Sequence, residues 1–250
     1  MVQKIKTIAV VFDQGNTLIM DPFRKILERK KEEFRKRFEE YGISISAPSI
    51  VEAWTTANNE MDYPHIAHFL QEEPIIQRAL ARLQIAPRIA LSLGLELLRV
   101  YREGYEQVVE SDLRTEKVRS VLAQLKARGK RLGVFSNDRA ATLGMTLQAM
   151  QIDSCFEYVE TSESIGVEKP DLRVFEHILR CFQLPAHLVT YVGDDPSRDV
   201  EPAKASGLKA VLHSVDSELY GESWRNYRVT PSPPPDAIIG DFAELLEVIA

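Results

Sequence analysis

Three short apolar runs in this chain each stop at polar residues, and that pattern allows few folds. Thr7 to Phe12 ends at Asp13, Arg131 to Phe135 ends at Ser136, and Leu188 to Val192 ends just before Gly193 and Asp194. Each is too short for a helix and nearly continuous in its apolar character, so it reads as a parallel strand buried on both faces. In open α/β sheets, ligands bind outside the carboxyl ends of the strands. Three polar groups distant in sequence are therefore expected to meet in one crevice.

Helical patterns lie between these runs: Thr115 to Arg128, closed by Gly129; Ala140 to Met150; and Leu172 to Phe182, entered through Pro170 and Asp171. Alternating strands and helices imply right-handed βαβ units. Ala237 to Ile239 reads as one more strand and Asp241 to Ile249 as an amphipathic closing helix. Before them, Ser214 to Pro235 is irregular and rich in proline, a loop expected to be mobile. The stretch from Asp21 to Asp112 shows no strand pattern. Its helical periodicity covers Phe23 to Tyr41, Ser49 to Glu60, Pro74 to Leu83 and Arg88 to Val109. The expected architecture is a doubly wound, mainly parallel α/β sheet built from residues 1–20 and 112–250. Residues 21–111 are expected to form a helical-bundle cap over the edge that carries Asp13.

At 250 residues and 44% hydrophobic content, the chain is long enough to bury a full core. A net charge of -6 disfavours nucleic-acid backbones as partners. The basic residues from Arg24 to Arg37 are interleaved with glutamates and read as a solvated helix face. Two cysteines, Cys155 and Cys181, with no apparent signal peptide and no apolar run of membrane-spanning length, suggest a reduced, cytoplasmic protein without a membrane partner.

Four stations follow one another along the chain: Phe-Asp-Gln-Gly-Asn-Thr-Leu at 12–18, Phe-Ser-Asn-Asp at 135–138, Glu-Lys-Pro-Asp at 168–171 and Gly-Asp-Asp-Pro-Ser-Arg-Asp at 193–199. Together they supply what phosphoryl transfer needs: a carboxylate nucleophile, a hydroxyl and an amide for phosphate oxygens, a lysine to neutralise charge, and acidic ligands for a divalent cation.

These four stations, with the run Ala205-Ser206-Gly207 and the closing Pro235-Asp236-Ala237-Ile238-Ile239, resemble the haloacid dehalogenase-like hydrolase superfamily, in its branch with a helical cap inserted after the first motif. The resemblance covers essentially the whole chain. It implies that Asp13 is a nucleophile forming an aspartyl-phosphate, that Ser136 binds phosphate with Asn137 as a further donor, and that Lys169 contacts both nucleophile and phosphate. It implies a Mg2+ site at Asp13, Asp194, Asp199 and the backbone carbonyl of Gly15. Asp199 fits either the outer shell or a brace for its loop, and Asp195 either a ligand or a loop cap.

Gly15 departs from the family pattern. The family's phosphatases carry there an aspartate that protonates the leaving oxygen and then activates water. General acid–base catalysis contributes about 10² to 10⁴-fold, so acyl or aryl phosphates, whose leaving groups need little help, are favoured over alkyl monoesters. Gly15 and Asn16 both tolerate positive φ, which allows the loop an unusual shape. Two branches also lack that aspartate. Dehalogenases lack the acidic fourth motif that Asp194, Asp195 and Asp199 supply here. Phosphonate-cleaving members use a cap lysine, and no lysine occurs between Lys36 and Lys117. His65 and His68 are candidates to replace the acid, with helix packing as their plainer reading. Asp138 reads as a helix cap; Arg78, Arg82 and Arg88 read as solvated arginines, and Trp54 as core. The chain is thus expected to be a magnesium-dependent hydrolase of a small phosphorylated metabolite, monomeric or homodimeric, with a phosphate- and metal-binding module of lost turnover as the alternative.

Overall fold

The computed structural model describes residues 4–62, 72–112, 114–214 and 231–250. The chain forms two compact units: Met1–Met20 with Asp112–Ala250, and Asp21–Ser111. The first holds a six-stranded sheet of β1 (Ala9–Phe12), β2 (Arg131–Ser136), β3 (Tyr158–Thr161), β4 (Val189–Gly193), β5 (Lys209–His213) and β6 (Ala237–Ile239), in the order β3-β2-β1-β4-β5-β6. Every neighbouring pair is parallel.

β1 is central, with all four residues buried, as a strand covered on both faces requires. Alternation divides its side chains. Ala9 and Val11 join the apolar cluster of Val174, Phe175 and Ile178. Phe12 stacks instead against Phe156 and Phe242, with ring centroids 6.3 and 5.8 Å away. The strand begins two residues later than its apolar run, and at Thr7 the side-chain hydroxyl lies 2.8 Å from the carbonyls of Ala9 and Leu188.

Helices α5 (Thr115–Ala127), α6 (Ala140–Ala149) and α8 (Leu172–Phe182) lie where the periodicity puts them, and the short helices α7 (Ser162–Ile165) and α9 (Glu201–Ala205) fill further connections. α8 matches its sequence reading at both ends because its signals are strong: the Asp171 carboxylate accepts from the Arg173 amide, and Gln183 stops the helix in the left-handed region. The closing segment differs from expectation. After a turn at Phe242–Glu244, α10 runs only from Leu245 to Val248, because Ile249 leaves the helix to bridge Ile5. Residues 215–230, within the stretch expected to be a mobile loop, lie outside the described residues.

The second unit consists, among the described residues, of α1 (Phe23–Glu40), α2 (Ala47–Asp62), α3 (Glu72–Arg82) and α4 (Pro87–Glu110). α1 packs on α2 and α4, and α3 packs on the same two helices. Trp54 is core, its ring between Phe34 and Tyr101 at 5.0 and 5.6 Å. Among the described residues, no helix is long and apolar enough to cross a membrane.

Candidate active site

Asp13 follows the last residue of β1, and its amide donates to the Val192 carbonyl at 2.8 Å, so both central strands fix its backbone. Asp194 follows β4 directly. The adjacent positions of β1 and β4 in the sheet bring these two carboxylates together.

Lys169 is drawn in from the loop before α8. Its Nζ donates to Asp13 Oδ1 at 2.7 Å and to Asp199 Oδ1 at 2.6 Å, and it lies 5.3 Å from the centre of the Tyr191 ring. Burial works against the ammonium, yet Asp13 and Asp199 hold its pKa well above the ordinary lysine value. Burial pushes the Asp199 carboxyl up to about 6, with Lys169 pulling the other way and Asp13 and Asp195 adding to the rise. Tyr191 stays protonated because burial raises its phenol, and its hydroxyl donates to the Phe135 carbonyl at 3.3 Å.

Asp199 reaches the site through a wide turn after Asp195. Asp195 Oδ1 accepts from the Ser197 amide, the Ser197 hydroxyl and the Arg198 amide, while Oδ2 takes Arg198 Nε at 2.9 Å. Asp195 is therefore the cap of this turn. Burial opposes its ionisation, but Arg198 and Ser197 hold its carboxyl below the ordinary range. Asp199 Oδ2 accepts from the Asp195 amide at 3.0 Å, so both of its oxygens brace the loop. Gly193 permits this approach: a Cβ there would lie 2.3 Å from Asp199 Cγ.

Ser136 ends β2, next to β1; the residue is buried and its hydroxyl has no hydrogen-bond partner among the described residues. Asn137, expected to add a phosphate donor, is engaged elsewhere. Its Nδ2 donates to the Lys169 carbonyl and its Oδ1 accepts from the Lys169 amide, both at 2.9 Å. It holds the lysine loop in place. Asp138 also departs from expectation. Its carboxylate accepts from the Arg139 amide, whereas the first amide of α6, at Ala140, donates to Glu163.

Lys169 is thus buried between Asp13, which follows β1, and Asp199, from the turn after β4, with Ser136 at the end of the neighbouring strand β2. The model of the family "Haloacid dehalogenase-like hydrolase" matches residues 20–213. The chain belongs to this family. Asp13 and Gly15 precede the matched span.

The chain is 34% identical over 130 residues to the glyceraldehyde 3-phosphate phosphatase of Methanothermobacter thermautotrophicus, covering 52% of this chain and 56% of that one. It is 28% identical over 173 residues to the phosphoserine phosphatase of Thermus thermophilus, covering 69% and 63%. It thus spans less than two thirds of the curated relatives it matches. Among solved structures, the magnesium-bound HAD-hydrolase YfnB of Bacillus subtilis superposes with a TM-score of 0.69 over 98% of this chain and 99% of that one, at 16% identity, a likeness of fold alone.

The donor set of this site fits a hard divalent cation. One oxygen from each of Asp13, Asp194 and Asp199 lies within 4.8 Å of the others. Three carboxylates against one ammonium leave an excess negative charge for such an ion to neutralise. At the first-motif turn, only Asn16 uses the left-handed region, with φ of 52°; Gly15 does not. A Cβ built on Gly15 would meet nothing within 4 Å. Sequence reasoning missed the contact of Asn16 Nδ2 with Asp194 Oδ2 at 3.0 Å, the ring of Tyr191 under Lys169, and Arg198 on Asp195. Arg78 and Arg82 both pair with Glu60. His65 and His68 lie outside the described residues.

Proposed function

We propose that this hydrolase is a magnesium-dependent phosphatase of a small phosphorylated metabolite and that it works through an aspartyl-phosphate at Asp13. The observation that carries this reading is the contact of Lys169 Nζ with Asp13 at 2.7 Å inside a buried acidic cluster. Lys169 pairs with Asp13 and offers positive charge to the incoming phosphoryl group. Asp13 attacks phosphorus, the leaving oxygen departs with its electron pair, and water then splits the acyl phosphate to free Asp13 and inorganic phosphate. The Ser136 hydroxyl donates to a phosphoryl oxygen, and Asn137 holds the Lys169 main chain in register. Asp13, Asp194 and the Gly15 carbonyl would hold Mg2+, with Asp199 bracing them, and the ion would supply charge neutralisation at the phosphoryl oxygens. The phosphatases among the relatives support the reaction class.

Gly15 has no side chain to protonate a leaving oxygen, so acyl and aryl phosphates are the favoured substrates. The same glycine is the observation behind a second reading, a phosphate- and metal-binding module with little turnover. Since a Cβ at Gly15 meets no neighbour, an aspartate can be introduced there. Phosphate release from acetyl phosphate and from an alkyl monoester, with Mg2+ present, separates the readings. Gly15→Asp is expected to gain about 10² to 10⁴-fold on the alkyl ester and little on acetyl phosphate. An equal change on both substrates would remove the lost-acid account, and absence of turnover in wild type and Gly15→Asp alike would favour the binding module.

A further inference from the structure

His213 ends β5, two strands away from β1 in the sheet, and is almost fully buried. Its Nδ1 lies 2.7 Å from the Asn16 carbonyl. A carbonyl only accepts, so the imidazole carries its proton on Nδ1. Asn16 is a non-glycine residue in the left-handed region, a conformation that its surroundings must sustain. Its own side chain donates to Asp194 Oδ2 at 3.0 Å. Around it, Arg114 Nη2 donates to the Thr17 carbonyl at 3.2 Å, and Gln14 Nε2 to the Thr146 hydroxyl at 3.1 Å. The first-motif turn is thus held from outside at Gln14, Asn16 and Thr17. The contact at Asn16 continues to Asp194 of the acidic cluster.

We infer that His213 and Asn16 are positioning residues for the metal site, with His213 fixing the turn so that the Asn16 carboxamide orients the Asp194 carboxylate. This rests on the reading of the acidic cluster as a Mg2+ site. Hydrogen bonds to a ligating carboxylate set its direction, and loss of such supporting partners costs about 10 to 100-fold in metal affinity. Neither residue touches the reacting phosphoryl group, so their effect should appear in metal binding itself.

The test is calorimetric titration of the metal-free full chain with Mg2+, run beside thermal unfolding without metal. His213→Phe keeps a ring of similar bulk and removes the donor; His213→Gln restores a donor; Asn16→Ala cuts the link from its other end. The expected result is a 10 to 100-fold weaker Kd in His213→Phe and in Asn16→Ala, with substantial recovery in His213→Gln. Wild-type affinity in Asn16→Ala, or in a folded His213→Phe, would overturn the inference. Equally weak binding in His213→Gln and His213→Phe would also overturn it, since a purely structural role is not rescued by a donor. Should the phenylalanine variant fail to fold, Asn16→Ala decides the matter alone. Loss of binding in Asp194→Asn supports the underlying site, whereas wild-type protein that binds no Mg2+ overturns the metal reading and the inference with it.

Discussion

Two lysines, one in each unit, sit close to carboxylate oxygens: Lys169 at 2.7 Å from Asp13, and Lys31 at 2.9 Å from Glu28. The Lys169 side chain is 3% exposed and that of Lys31 41%. Lys31 belongs to a ladder of pairs along α1, with Lys30–Glu33, Arg35–Glu32 and Arg37–Glu40 at similar spacing. Water reaches Lys31 and Arg35 and their glutamates, and such exposed pairs contribute little. At Lys169 water is excluded, so each charge depends on its protein partners. The contrast shows that an ion pair's distance says little by itself and that burial decides what the pair must do.

Removing one partner should separate the two regions most strongly. Lys169→Met leaves Asp13 and Asp199 buried without their cation, and a loss of about 3–5 kcal/mol in unfolding free energy is expected from denaturant titration. Added Mg2+ should recover part of it by binding the native state alone. An unchanged midpoint would mean that the cluster is not energetically closed.

The next effect comes from His213. Burial first, then the charge of Arg114, lowers its pKa to about 4, with the contact to Asn16 and the nearby Asp241 and Glu244 acting in the other direction. An unfolded histidine takes up its proton near 6.5. Between these values the unfolded chain binds more protons, so stability is complete above about 6.5 and falls as the pH drops toward 4, by about 3 kcal/mol at most. His213→Gln should flatten that part of a plot of Tm against pH, and a wild-type Tm that does not fall over this range would contradict the burial argument. The smallest effect is expected on α1, where Lys31→Ala and Glu28→Ala should leave the unfolding midpoint unchanged within error. A clear loss there would blur the comparison.

Legibility in the sequence followed the same division between local and distant causes. α8 could be read residue by residue, because Pro170, Asp171 and an apolar stripe all lie within it or at its edge. β3 carried no such mark: it is a four-residue edge strand with Val159 exposed and Glu160 half-buried. β5 begins with lysine and ends with histidine, which shortens its apolar run to three residues. In the site, Asp13, Ser136 and Asp194 were visible because each terminates or follows an apolar run. Asn137 has the residue type of a phosphate donor, and only the folded loop shows its carboxamide clasping Lys169. The contact of His213 with Asn16 joins residues 197 apart through a main-chain carbonyl, which leaves no trace in residue types.

The central claim is that Asp13 is a nucleophile within a working phosphatase site, and its most direct test is phosphate release from acetyl phosphate with saturating Mg2+, comparing wild type with Asp13→Asn. The account predicts multiple turnover by wild type and none above the uncatalysed rate by Asp13→Asn. Equal rates in the two proteins, or no turnover by wild type that demonstrably binds Mg2+, would contradict it.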